Sequence, residues 1–303
     1  MNGCLIENFD CAVPYSKTEN CVIVKGEDWV KATESALITK KEQITNIQEV
    51  QGVGYTEVFA DHGLKAGDKV VLTKAASNIA YLKPYKLPDH DKKYSNVHLM
   101  QVIGKLEDDN VNLLYSKVEL IQPNIQGLPA KAMYTGMEMQ GLYFVTDVGM
   151  HGFTEAWEPS EVNSVQAGKY AIVDGTLMTK IDTKKGAVYF TEREFIVAQC
   201  DEENFSFDIK DWDVMEDKLV LEPYIDEKNG LLYNPLYDLE ENDISEVYNP
   251  DKFKVIKVGK NFESKFSEGD IVHVGRDYLT FLNVFGKELF FTRTDEYIKG
   301  KYM

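Results

Sequence analysis

Basic residues are scarce in this chain. It carries 33 Lys and Arg against 50 Asp and Glu, a formal net charge of −17 at pH 7. Such an excess argues against a chain-wide phosphate-binding surface, so no nucleic-acid partner is expected. Cysteine is sparse as well. Cys4, Cys11, Cys21 and Cys200 form no C-x-x-C pair, and reduced thiols are expected rather than a disulfide framework or a zinc site. No apolar run approaches the roughly 18–20 residues that span a bilayer. The first residues offer acids at Glu7 and Asp10 and no base before Lys17, which is not the pattern of a secretory leader. A cytoplasmic protein with no membrane partner is the expectation. Catalytic motifs are missing too: there is no phosphate-cradling G-x-x-x-x-G-K-[ST], nucleophile elbow, H-E-x-x-H or G-x-G-x-x-G. Neither enzymatic activity nor a cofactor or metal is expected. The five histidines are dispersed. Asp89-His90-Asp91 reads as a solvated turn, while His98 and His273 fall in strand-like runs and are expected to be partly buried.

What the chain has is self-similarity. Gly67, Gly168 and Gly269 are spaced by 101 residues each. All three open a β-branched run: Gly67-Asp68-Lys69-Val70-Val71, Gly168-Lys169-Tyr170-Ala171-Ile172 and Gly269-Asp270-Ile271-Val272. Upstream of each lies an apolar strand ending in Val-Gly, at Val53-Gly54, Val148-Gly149 and Val258-Gly259. Further upstream come Cys21-Val22-Ile23-Val24, Lys117-Val118-Glu119-Leu120 and Lys218-Leu219-Val220-Leu221. Short Val/Ile/Tyr/Phe runs between Gly, Asn and Asp predict strands joined by turns, and a glycine ahead of each strand suits a turn at positive φ. The fold class expected is all-β, built as small barrels or sandwiches. Three units are expected, 1–110 with an insertion over 74–94, then 111–205 and 206–303. Their boundaries fall at the polar stretches 107–110 and 201–213. Tyr189, Phe190, Phe290 and Phe291 are expected to pack inside; Trp29, Trp157 and Trp212 are placed at unit edges.

In this order the motifs resemble the GroES-like co-chaperonins. The third unit fits best. Asp217 to Glu222 resembles the opening strand and Asn229-Gly230-Leu231-Leu232-Tyr233 the tip of the mobile loop. Lys254 to Gly259 resembles the middle strand, Ser267 to Val272 the barrel turn, and Thr294 to Ile298 the closing segment. The resemblance implies three tandem GroES-like small β-barrels that cap or bind a GroEL-type chaperonin through flexible apolar loops, as a homo-oligomer that assists folding without chemistry of its own. Gly230, Leu231, Leu232 and Tyr233 would enter the chaperonin groove, with Ala36, Leu37 and Ile38 as their counterparts in the first unit. The second unit keeps only Gly127-Leu128-Pro129-Ala130 in that place. Alternatives stay open. Gly230 to Tyr233 also reads as a core strand, and Ala36 to Ile38 as the continuation of a helix from Val30. A phage-type structural or assembly protein would reuse the same barrel without binding a chaperonin.

Overall fold

The computed structural model describes residues 5–7, 21–26, 46–74, 76, 85–86, 93–108, 110–123, 141–153, 159–160, 164–183, 186–225, 248–285 and 287–302. Among them there is no α-helix; strands are joined by turns and short 3-10 segments. The expected all-β class is what the chain adopts. Alternation of side chains explains it locally. In the strand Gly141–Val148, Gly141, Tyr143 and Val145 are buried while Leu142 and Phe144 between them are half-buried, the period of two that a strand presents to a core.

The first module contains β1 (Leu5–Glu7), β2 (Cys21–Gly26), β3 (Ile47–Tyr55), β4 (Lys69–Leu72), β5 (Tyr85–Lys86), β6 (Lys93–His98), β7 (Val102–Glu107) and β8 (Asn110–Leu113). The second contains β9 (Lys117–Ile121), β10 (Gly141–Val148), a small hairpin of β11 (Gly152–Phe153) and β12 (Pro159–Ser160), then β13 (Lys169–Val173), β14 (Thr179–Thr183), β15 (Gly186–Glu192), β16 (Ile196–Asp201) and β17 (Asp213–Val214). The third contains β18 (Leu219–Ile225), β19 (Tyr248–Val258), β20 (Ile271–Val274), β21 (Thr280–Val284), β22 (Lys287–Thr292) and β23 (Ile298–Tyr302).

One strand order occurs three times. It runs β5-β6-β2-β3-β4-β7, then β14-β15-β9-β10-β13-β16, then β21-β22-β18-β19-β20-β23. The repeated turn is equally regular. Gly67, Gly168 and Gly269 have φ of 88°, 81° and 90°. Their N–H groups donate to the carbonyls of Val50, Val145 and Val255, each at 2.8 Å. The aspartates that follow Gly67 and Gly269 lock the turn, accepting from the N–H of Lys65 at 2.9 Å and of Ser267 at 2.7 Å.

In the first module β6 and β7 occupy opposite sides of the path β6-β2-β3-β4-β7 but are joined by three residues, Leu99–Gln101. Four strand spacings laid flat measure about 19 Å, whereas four residue steps reach about 14 Å at most. The path must therefore curl. No hydrogen-bonded ladder closes it among the described residues, and each of the three paths stays an open sheet.

By contact density the chain divides into two compact units, one of 1–121, 146–161 and 177–193, the other of 122–145, 162–176 and 194–303. The first unit has a core of Val22, Val50, Val53, Val70, Val97 and Phe59, and a second cluster in which Val71, Ile103 and Leu113 meet Phe190. The other unit has a core of Leu219, Leu221, Phe253, Val255, Val272 and Phe290, and a second cluster around Trp212 that joins Ile172, Val197 and Ala198 to Leu282 and Phe291. Tyr189, Phe190, Phe290 and Phe291 are buried as expected. Trp212 lies in the cluster that joins second-module to third-module residues, where it is 1% exposed and its indole N–H donates to the Ser206 carbonyl at 2.9 Å. Trp29 and Trp157 lie outside the described residues.

The closing strands of the first two modules are covered by the residues that lead into the next module. β8 pairs with β7, setting Gly104 opposite Leu113. β17 pairs with β16, setting Ala198 opposite Val214. The approach at β7 is close enough to require glycine, since a Cβ on Gly104 would lie 2.3 Å from the Asn112 carbonyl oxygen.

Candidate partner-binding site

In every module two neighbouring strands of the repeated order are separated by a long stretch of sequence. It covers 27–46 between β2 and β3, 122–140 between β9 and β10, and 226–247 between β18 and β19. Each is about twenty residues. All the sequence candidates fall in these stretches. Ala36, Leu37, Ile38, Gly230, Leu231, Leu232 and Tyr233 lie outside the described residues, and so does Gly127 to Ala130. What the structure describes is their footing. β18 and β19 pair from Leu219 opposite Val258 to Ile225 opposite Tyr248, with register shifts at Val220/Leu221 and Pro223/Ile225. β2 and β3 pair from Cys21 opposite Gly54 to Val24 opposite Val50.

The root of each hairpin is tightly built. Gly149 and Gly259 donate to the carbonyls of Lys117 and Lys218, each at 2.8 Å. A Cβ on Gly149 would lie 2.1 Å from the Leu114 oxygen, and one on Gly259 would lie 2.3 Å from the Met215 oxygen. This is why both Val-Gly pairs end in glycine.

Two buried lysines stand at the same root. Lys117 is 1% exposed; its ammonium donates to the Met100 carbonyl and to Glu192, both at 2.6 Å. Lys218 is fully buried against Asp217. The position of Glu192 is taken there by Arg293, which pairs with Glu194 at 2.9 Å and stacks over Phe195 at 4.8 Å. Burial lowers the Lys218 pKa to about 8; the Arg293 charge pushes the same way, and Asp217 and Glu194 oppose it. In the first module this place holds the cross-strand pair Cys21 and His98. Burial, and then the Lys117 charge, lower the His98 pKa.

Both lysines fall at the start of predicted strands, Lys117 first and Lys218 behind Asp217, but their burial was not anticipated. A signal was present, because each stands at the same distance ahead of the turn glycine of its module. His98 and His273 sit half-buried in β6 and β20, as expected. Asp89, His90 and Asp91 lie outside the described residues. Among the described residues no cluster of His, Cys, Asp or Glu has the arrangement to hold a metal ion, and no helix is long and apolar enough to cross a membrane.

No known family profile matches the chain, and no curated protein does.

Proposed function

We propose that the chain is a non-catalytic binding protein of co-chaperonin type: three tandem modules, each an opened form of a GroES-like small barrel, that present apolar segments to a GroEL-type chaperonin. One observation carries this reading. In all three modules about twenty residues separate the same two neighbouring strands of the sheet order, and the apolar candidates 36–38 and 230–233 fall within those stretches.

The energetics suit a reversible grip. Ordering a segment costs about 1–2 kcal/mol per residue of backbone, and each buried aliphatic side chain returns only about 1.5–3 kcal/mol. A single segment binds weakly. Several on one scaffold bind together through effective concentration.

Replacing Leu231 and Leu232 together with Asp tests the reading. The doubly substituted chain is expected to keep its fold and to lose the nucleotide-dependent complex that the parent forms with a GroEL-type chaperonin, as read by native mass analysis. Equal binding by parent and variant would sink the assignment of 230–233. A second reading is a phage-type assembly protein that uses the modules as building blocks. It is favoured by the way β8 and β17 finish the preceding module, and it predicts large assemblies with no chaperonin complex.

A further inference from the structure

In the last two modules the residue just ahead of the closing strand is aromatic. Phe195 precedes Ile196, which faces Val173, and Tyr297 precedes Ile298, which faces Val274. Both closing strands enter the sheet at the same register shift, so the two rings hold matching places. Each ring also follows an acid, Glu194 in one case and Glu296 in the other. The first place is filled. Arg293 lies over Phe195 with its Cζ 4.8 Å from the ring centroid, and the same guanidinium pairs with Glu194 at 2.9 Å. Phe195 is buried there. A ring face attracts a cation through its quadrupole, and a carboxylate beside it takes the N–H fork that a guanidinium presents.

The second place is open. Tyr297 is 43% exposed and stacks on Tyr278, which is 54% exposed. Their planes are 8° apart and their centroids 4.5 Å, so each ring braces the other and turns one face away from it. Among the described residues no cation lies over either ring and no base pairs with Glu296, which is exposed. The chain itself has no arginine to spare. It contains three, Arg193, Arg276 and Arg293, and none stands in the stretches outside the described residues. Arg193 donates to the Gly149 carbonyl at 2.7 Å, Arg276 lies 5.0 Å over Phe290, and Arg293 is the one already at Phe195. Neither this chain nor a second copy of it therefore offers an uncommitted guanidinium.

We propose that Tyr297, braced by Tyr278 and accompanied by Glu296, is a docking site for an arginine side chain on a different protein. The guanidinium lies over the Tyr297 ring as Arg293 lies over Phe195, and Glu296 takes its charge as Glu194 takes that of Arg293. The surroundings agree in sign: Asp277 and Glu296 are exposed beside the rings, with Lys299 as the opposing charge, in a chain of net charge −17. Lysine suits the place less well, because its compact ammonium neither lies flat on a ring nor forks to a carboxylate. Arginine is also among the residues that carry most energy at protein interfaces. The site uses none of residues 36–38 or 230–233, so it stands or falls independently of the chaperonin reading.

Three blocked tripeptides titrated against the full chain provide the test, with the tyrosine rings carbon-13 labelled and read by NMR: Gly-Arg-Gly, Gly-Lys-Gly and Gly-citrulline-Gly. Citrulline keeps the shape of arginine and removes its charge. Gly-Arg-Gly is expected to shift the Tyr278 and Tyr297 ring signals saturably and to bind at least about threefold more tightly than either control. Tyr297→Phe keeps the ring face and is expected to keep that preference, followed on the Tyr278 signal. Tyr297→Leu is expected to weaken Gly-Arg-Gly by about fivefold or more, and Glu296→Gln to weaken it several-fold. These positions are exposed, so the melting temperature is expected to stay unchanged in all three variants. No saturable shift, equal binding of Gly-Arg-Gly and either control, or full affinity in Tyr297→Leu or Glu296→Gln would overturn the proposal.

Discussion

Lys218 shows what one residue can cost. It is enclosed beside Arg293 with Asp217 as its nearest counter-charge, and burial lowers its pKa from the ordinary 10.5 to about 8. Between those two values the unfolded chain holds a proton that the folded chain has released, so stability rises with pH across that window. Below about pH 8 both states are charged and the full penalty applies, about 3 kcal/mol by the size of the shift. Lys218→Met is therefore expected to be more stable than the parent at pH 7, with the gap shrinking as pH climbs from about 8 towards 10. Denaturant unfolding at several pH values checks this, and a gap that stayed constant would show that desolvation is not the cause. The turn glycines and the root glycines should separate in the same assay. Gly269→Ala meets open space but a φ of 90°, a conformation costing an L-residue about 1–2 kcal/mol. Gly259→Ala drives a Cβ against three carbonyl oxygens at 2.3, 2.6 and 2.7 Å, and a loss of about 3 kcal/mol is expected. These glycines were legible in the sequence because backbone geometry admits almost no other residue. The lysines were not, because a buried ammonium runs against what residue type alone leads one to expect.

At the scale of elements, local pattern gave the strands and could not give their order. Alternation in β10 and the Val-Gly ending of β19 are written in neighbouring residues. The pairing of β22 with β18, setting Phe291 opposite Val220, joins segments some seventy positions apart and leaves no local mark. The candidates 36–38 and 230–233 were legible only as short apolar runs in polar sequence, and they lie outside the described residues. Coverage of the closing strands gives a sharper test. Gly104 lies beneath β8, whereas Gly300, at the matching place in β23, has nothing within 4 Å of an added Cβ. Gly104→Val is expected to cost about 3 kcal/mol or more through overpacking, and Gly300→Val to change stability by no more than about 0.5 kcal/mol. Similar losses at both positions would mean that β8 does not cover β7 as described.

For the whole molecule, two compact units predict more than one cooperative step in unfolding. Calorimetry is expected to resolve two transitions, with Gly67→Ala lowering one and Gly269→Ala the other; a single transition moved equally by both would contradict the division. Matching positions in the first and last modules differ from their counterparts in chemistry. Lys299, exposed on β23, stands where the first two modules place buried Ile103 and Val197, and Asn96 stands where the later modules place Phe190 and Phe291. Polar outer faces of this sort keep repeat arrays from stacking on one another. Because a module is finished by the residues that introduce its successor, gain or loss of one copy by recombination disturbs only the junctions on either side of it.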